Sequence, residues 1–99
     1  MAHKVVWSPR ALEDIQEIAD YISGDSEFYA AAVVRKVVAI TRQIAAFPYA
    51  GRVVPEVGDD AIRERFVYSY RIIYRVGVDV VTVAAIIHGK RLLPHDVQQ

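Results

Sequence analysis

The chain has 99 residues, 54% of them hydrophobic, no cysteine, and 12 basic side chains against 12 acidic ones. That length supports a single domain, residues 1–99, with a thin core, because folding at this size buries only about 60–68% of the surface exposed by the unfolded chain. Disorder, disulfide or thiol chemistry and a membrane-spanning helix are all excluded, the last because no apolar run nears the roughly 18 residues a span requires.

The neutral balance hides an asymmetry. Residues 1–30 hold six acidic and two basic side chains, which leaves six acidic and ten basic ones for residues 31–99. Proteins held to nucleic acid by phosphate contacts carry a basic excess over the whole domain. A local patch at a pI near 6.8 gives no expectation of direct, sequence-specific nucleic-acid binding. The opening MAHKVVWSPR lacks the apolar region of a secretory signal, so a cytoplasmic location is expected.

In chain order, HKVVW (3–7) alternates polar and apolar residues and predicts a short edge strand. Ser8 and Pro9 then open a helix, Ser8 capping free N–H groups and Pro9 sitting where its missing donor costs nothing. Leu12, Ile15, Ile18, Ala19 and Ile22 form its apolar stripe, and Gly24 is placed to end it. A second helix is predicted from about Glu27 to Phe47, stopped by Pro48. It carries one stripe of Val33, Val37, Ile40, Ile44 and Phe47 and a smaller one that includes Val34 and Val38. FPYAGRVVPEVGDD reads as a loop. AIRERFV (61–67), RIIYRV (71–76) and VVTVAAII (80–87), with the short separators YSY and GVD, read as an antiparallel meander. The expected fold is α+β, in the order β-α-α-β-β-β.

The last hairpin allows a prediction of facing. A two-residue type II′ turn with Gly77 at its first central position pairs Val76 with Asp79. Ile72, Tyr74 and Val76 then share a core face with Val81, Val83, Ala85 and Ile87, while Arg71, Ile73, Arg75 and His88 lie on the other.

Chemistry-bearing residues are few. Arg63, Arg65 and Arg75 suit the solvated side of a half-buried strand. Arg71 draws more attention, since guanidinium forks onto phosphate or carboxylate and stays charged, and under the expected register it shares a face with His88, a residue type that titrates near neutrality. Glu64 points coreward and needs a cationic partner there. Glu56 matters chemically if its loop folds over the sheet. No metal site or cofactor is expected, because no HxxxH or HExxH spacing and no glycine-rich phosphate loop occurs.

SPRALEDIQEIADYI, FPYAGRVVPEV, AIRERFV, YRIIYRV and AAIIHGKRLLP, taken in order, resemble the segments of RelE/ParE-superfamily toxins of type II toxin-antitoxin systems over nearly the whole chain. The resemblance implies one of two activities: ribosome-dependent mRNA cleavage, as in RelE and YoeB, or inhibition of DNA gyrase without nuclease action, as in ParE. For a nuclease, Arg71 matches the arginine opening the penultimate strand, His88 lies near the C-terminal His or Tyr, and Glu56 is loosely comparable to the YoeB-type glutamate. The lysine-rich first catalytic segment of RelE is missing, however, and Gly89 follows His88 where the YoeB type has an aromatic residue. The GR-x-V-P-E loop and the H-G-x-R ending resemble ParE.

The expectation is therefore a ParE-like gyrase inhibitor. The alternatives are a ribosome-dependent endoribonuclease and an inactive member that only binds its antitoxin. By the same resemblance a cognate antitoxin orders a C-terminal segment against the toxin. Arg63, Arg65, Arg71, Ile73 and Arg75 on the sheet, with Val34 and Val38 on the long helix, are its expected contacts. Lys90 and Arg91 are the expected gyrase contacts.

Overall fold

The computed structural model describes residues 3–89. Strand β1 (Lys4–Trp7) leads into helices α1 (Pro9–Ser23) and α2 (Glu27–Ala46), and a 3₁₀ turn (Pro48–Ala50) follows. Strands β2 (Arg52–Val53), β3 (Ile62–Val67), β4 (Tyr70–Val76) and β5 (Val80–His88) complete the described residues. The five strands form one sheet in the order β1-β5-β4-β3-β2, with β1 parallel to β5 and all other pairs antiparallel. The short β2 is an addition to the predicted order.

The helix boundaries follow from local chemistry. Ser8 Oγ accepts from the Ala11 N–H (3.0 Å) and Pro9 stands at the first helical position. Ser26 caps α2 in the same way by accepting from the Tyr29 N–H (3.1 Å). Gly24 does end α1, but in right-handed geometry (φ −57°), so its conformational freedom is not what stops the helix.

The apolar stripes meet the sheet with two changes from expectation. In α1 the fully buried residue is Ala11, one turn from Ser8 where the helix start is bonded to the Ala84 carbonyl of β5, while Leu12 is 55% exposed. Phe47 lies past the end of α2 with φ −136° and is exposed rather than part of the stripe. Val33, Val37, Ile40 and Ile44 pack against Val67, Ile72, Tyr74, Val76, Val81, Val83 and Ile86.

The last hairpin corrects the predicted facing. The Gly77 N–H donates to the Val80 carbonyl (2.7 Å), so Val78 and Asp79 are the central turn residues and Val76 pairs with Val81. That two-residue displacement alone keeps every side chain on its expected face. Beyond Tyr74↔Val83, however, the register jumps to Ile73↔Ala85, and Ala84 is left as the extra residue of a bulge. Ala85 and Ile87 thereby turn away from the helices, and His88 leaves Arg71's face to stand opposite Tyr70.

Helix α1 supplies the partners that the bulge removes from the ladder. Ser8 Oγ donates to the Ala84 carbonyl (2.9 Å), and the Ile86 N–H donates to Asp14 Oδ2 (2.9 Å). A single hydroxyl therefore serves both the helix cap and the bulge. Ser8→Ala should cost about 1–2 kcal/mol, at the upper end for a lost N-cap, read as a lower denaturant midpoint at unchanged slope.

The far side of the sheet is also covered. Val54, Ile62, Ile73, Ala85 and Ile87 form a second buried cluster, with Val57 of the 54–61 loop packed on it. Residues 71–74 are consequently buried on both strand faces.

Candidate functional site

The arginine-bearing face of the sheet resolves into a cluster of two cations and two anions. Glu64, on β3, stands opposite Ile73, which places it diagonally from Arg71 on β4. Arg71 Nε donates to Glu64 Oε1 (2.7 Å), and its Nη2 lies 2.6 Å from the same oxygen. The outer edge of the same guanidinium meets the loop: Nη1 donates to Glu56 Oε2 (2.9 Å) and Nη2 to Glu56 Oε1 (3.0 Å). Arg52, on β2, donates through Nε to Glu64 Oε2 (2.7 Å) and bonds it again through Nη2.

Accessibility grades the four groups. The Glu64 side chain is fully buried, Arg71 is 5% exposed, Glu56 22% and Arg52 62%. Hydrogen bonding to Glu56, ahead of the opposing cost of burial, and then the bonds and charge of Glu64 raise the Arg71 pKa still further. Arg71 is therefore a permanent cation whose fork is filled on two edges by carboxylates of its own chain.

Glu56 reaches this position because the loop makes a compact turn. The Val57 and Gly58 N–H groups both donate to the Val54 carbonyl (3.1 and 3.0 Å), and Gly58 takes φ +70°, a left-handed conformation that glycine adopts without strain. Arg63 fastens the two ends of the loop. It donates to the carbonyls of Asp60 (2.9 Å) and Gly51 (3.0 Å), pairs with the Asp60 carboxylate (2.7 Å), and lies 4.9 Å over the Tyr49 ring.

The remaining expected site residues are dispersed. Arg65 leans the other way and donates to Gln43 Oε1 on α2 (3.2 Å). Arg75 is exposed, Ile73 is fully buried, and Val34 and Val38 are half-buried on α2. His88 stands edge-on to Tyr70, ring centroids 6.0 Å apart, on the side of the sheet away from Arg71. Lys90 and Arg91 lie outside the described residues. The fold thus brings Arg71 and Glu56 together and keeps His88 apart from both.

Glu64 and Arg52 become central without having been expected as site residues. The Tyr68–Ser69 turn between β3 and β4 sets a register that puts Glu64 diagonal to Arg71, so the YSY separator carried that part of the signal. Nothing local shows that Arg52 forms a strand. Among the described residues no group of three His, Cys, Asp or Glu side chains could hold a metal ion, and no helix is long and apolar enough to cross a membrane.

The architecture is that of RelE/ParE-like toxins. Similar solved structures are the chromosomal ParDE toxin-antitoxin system from P. aeruginosa (17% identity, TM-score 0.72, 88% of this chain and 96% of that one), the YoeB dimer from Staphylococcus aureus (15%, 0.62, 89% and 98%) and a YoeB/ParE toxin from Agrobacterium tumefaciens (20%, 0.61, 86% and 96%). At these identities the likeness is one of fold. No curated protein matches the chain. Residues 5–93 match the family described as ParE toxin of type II toxin-antitoxin system, parDE, and the chain belongs to that family.

Proposed function

We propose that this toxin acts in the cytoplasm by inhibiting DNA gyrase, without nuclease chemistry, and is neutralised by direct binding of a cognate antitoxin. The observation that carries the reading is the state of Arg71. Both carboxylates in the cluster already fill its fork, and His88 is on the opposite side of the sheet. A phosphoryl-transfer site needs cationic donors converging on the space where charge develops and a proton acceptor within reach of the nucleophile. Here the cation is closed off and the imidazole is elsewhere.

An antitoxin partner is supported by family membership and by likeness to a ParDE system. A shallow, mostly apolar groove between the helices, formed by Ala19, Ala30, Ala31 and Val34 and rimmed by Asp20 and Arg35, suits an amphipathic segment that orders on binding. Arg65, Arg75 and Val38 are reachable from outside as further contacts. Arg63, Arg71 and Ile73 serve the antitoxin only as the interior of that surface, because they are tied into or buried under the loop. Lys90 and Arg91 remain the proposed gyrase contacts.

The test is a supercoiling assay on relaxed plasmid over a toxin titration, paired with mRNA cleavage on programmed ribosomes from the same preparation. Supercoiling should fall while the mRNA stays intact. Cleaved mRNA with unaffected gyrase would overturn the reading in favour of a ribonuclease, and inertness in both assays would mark a member that only binds its antitoxin.

A further inference from the structure

Along the side of α2 that faces β3 runs a second surface, of different chemistry from the groove between the helices. Tyr29, Lys36 and Gln43 recur at seven-residue spacing on α2 and are all exposed, so they form one ridge of the helix. Strand alternation turns Arg63, Arg65 and Val67 of β3 toward the helices: Val67 joins the helix-packed core, and Arg65 Nη2 donates to Gln43 Oε1 (3.2 Å). At one end of this seam the Tyr29 and Tyr68 rings meet, centroids 6.5 Å apart. At the other, Arg63 lies 4.9 Å over the Tyr49 ring. The three contacts follow α2 and β3 in opposite directions, with Lys36 between the first and the second.

Tyr29, Tyr49 and Tyr68 all expose their rings. Tyr68 presents its ring from a left-handed backbone, φ +54°, which a bulky residue seldom adopts and which clusters at binding sites. The Gln43 amide that Arg65 meets is neutral and leaves the guanidinium its charge. Asp60, paired with Arg63 at the far end, is largely exposed, so solvent screens that pair and it competes weakly with an incoming anion.

Stacking rings at both ends of a line of cations match a polymer with a planar base and one negative charge in each unit. Roughly 20 Å of helix separates Tyr29 from Gln43 at 1.5 Å per residue, room for several nucleotides. We propose that the seam between α2 and β3 binds single-stranded DNA, with bases on Tyr29, Tyr68 and Tyr49 and phosphates on Lys36, Arg65 and Arg63. Such contacts read no sequence, and a local patch on a chain of pI near 6.8 makes the binding weak and salt-dependent. An acidic peptide fits less well: it has no planar groups for the rings, and apolar anchors are met on the other side of α2, where Ala31 and Val34 line the groove with α1. The choice of DNA over RNA rests on the gyrase reading above; the stacking surface does not.

The test follows the full chain, freed of antitoxin, by fluorescence anisotropy with a labelled oligo(dT) of about 16 nucleotides. Binding should saturate, and log K should fall with log salt at a slope of about −2, that of three phosphate contacts on a single strand. Lys36→Gln should flatten the slope by about 0.7. Tyr49→Ala and Tyr68→Gly should each weaken binding about 5- to 150-fold, the loss of one stacked base. These three side chains are exposed, so the variants keep the fold, as far-UV circular dichroism checks. Arg65 is left intact because it is also a proposed antitoxin contact.

The absence of saturable binding at low salt overturns the site. Unaltered affinity in both tyrosine variants, or equal binding of polyglutamate or of duplex DNA, shows charge attraction without stacking and overturns the single strand as occupant. Tighter binding of oligo(rU) replaces DNA with RNA. A supercoiling assay on the same preparation separates the two readings. Inhibited gyrase with oligo(dT) unbound removes the seam alone, whereas oligo(dT) bound in preference to oligo(rU) with gyrase unaffected removes the gyrase reading alone.

Discussion

Replacing Glu64 with alanine should cost about 3–5 kcal/mol, the range for removing one partner of a buried ion pair, against a total stability of about 5–15 kcal/mol for a protein of this kind. The loss comes less from the bonds themselves than from what remains. Arg71 stays charged and 5% exposed with half its fork empty, and Arg52 loses its acceptor. Urea denaturation should show a much lower midpoint with little change in slope, and the far-UV signal at 37 °C should fall. A cost below about 1 kcal/mol would mean that water reaches the cluster freely enough to replace the carboxylate. Arg52→Ala is the internal contrast. Its side chain is 62% exposed, so solvent screens the charge and the expected loss stays under about 1 kcal/mol.

Gly51→Ala should be nearly as damaging for a different reason. Gly51 sits in ordinary extended backbone (φ −74°, ψ 162°), which any residue adopts. Space is the constraint: a Cβ here would lie 2.1 Å from the Tyr74 hydroxyl and 2.8 Å from the Glu64 carbonyl. Tyr74 is fully buried and its hydroxyl donates to the Pro48 carbonyl (2.6 Å), joining the core to the chain just after α2. The added methyl must push the ring or the backbone aside, at about 1–3 kcal/mol for overpacking plus about 1 kcal/mol if the hydrogen bond breaks. Calorimetric melting measures the sum.

Adding Tyr74→Phe should restore part of the loss, since the clashing oxygen is gone, and the two substitutions should couple rather than add. Strict additivity would show that the clash is relieved elsewhere. The same phenol bears on alkaline stability. Burial pushes the Tyr74 pKa above its ordinary value of 10.0, against the smaller opposing effects of the Gly51 N–H, Arg65 and Arg63. A proton held more tightly in the folded state contributes stability below the unfolded pKa and loses it as pH climbs past that value. Stability should therefore decline above about pH 10, and less steeply in Tyr74→Phe.

Much of the fold was legible because the relevant signals are local. Ser8-Pro9, Ser26 and Pro48 bound the helices through capping and missing donors, and the Val33-to-Ile44 stripe identifies the buried side of α2. The short YSY turn implies the β3–β4 register that brings Glu64 near Arg71. The bulge at Ala84 was not legible. VVTVAAII is apolar apart from Thr82 and has no alternation to betray a change of face, and the groups that stabilise the bulge, Ser8 and Asp14, come from more than 70 residues away. The mistaken placing of His88 on the face of Arg71 follows directly from that bulge. The loop's place on the sheet was equally hidden, because it depends on a salt bridge between residues 15 positions apart whose meeting no local periodicity encodes.

The parallel pairing of β1 with β5 has a bearing on how the molecule is made. Residues 4–7 find their sheet partners only at residues 80–83, and α1 hangs its cap and Asp14 on the same last strand. While a ribosome is still extending the chain at about 5–20 residues per second, the helical hairpin is complete but β1 and the start of α1 still lack β5, the strand that holds them. That end of the nascent polypeptide therefore stays open until β5 emerges, and those seconds give a binding partner already present a chance to engage it.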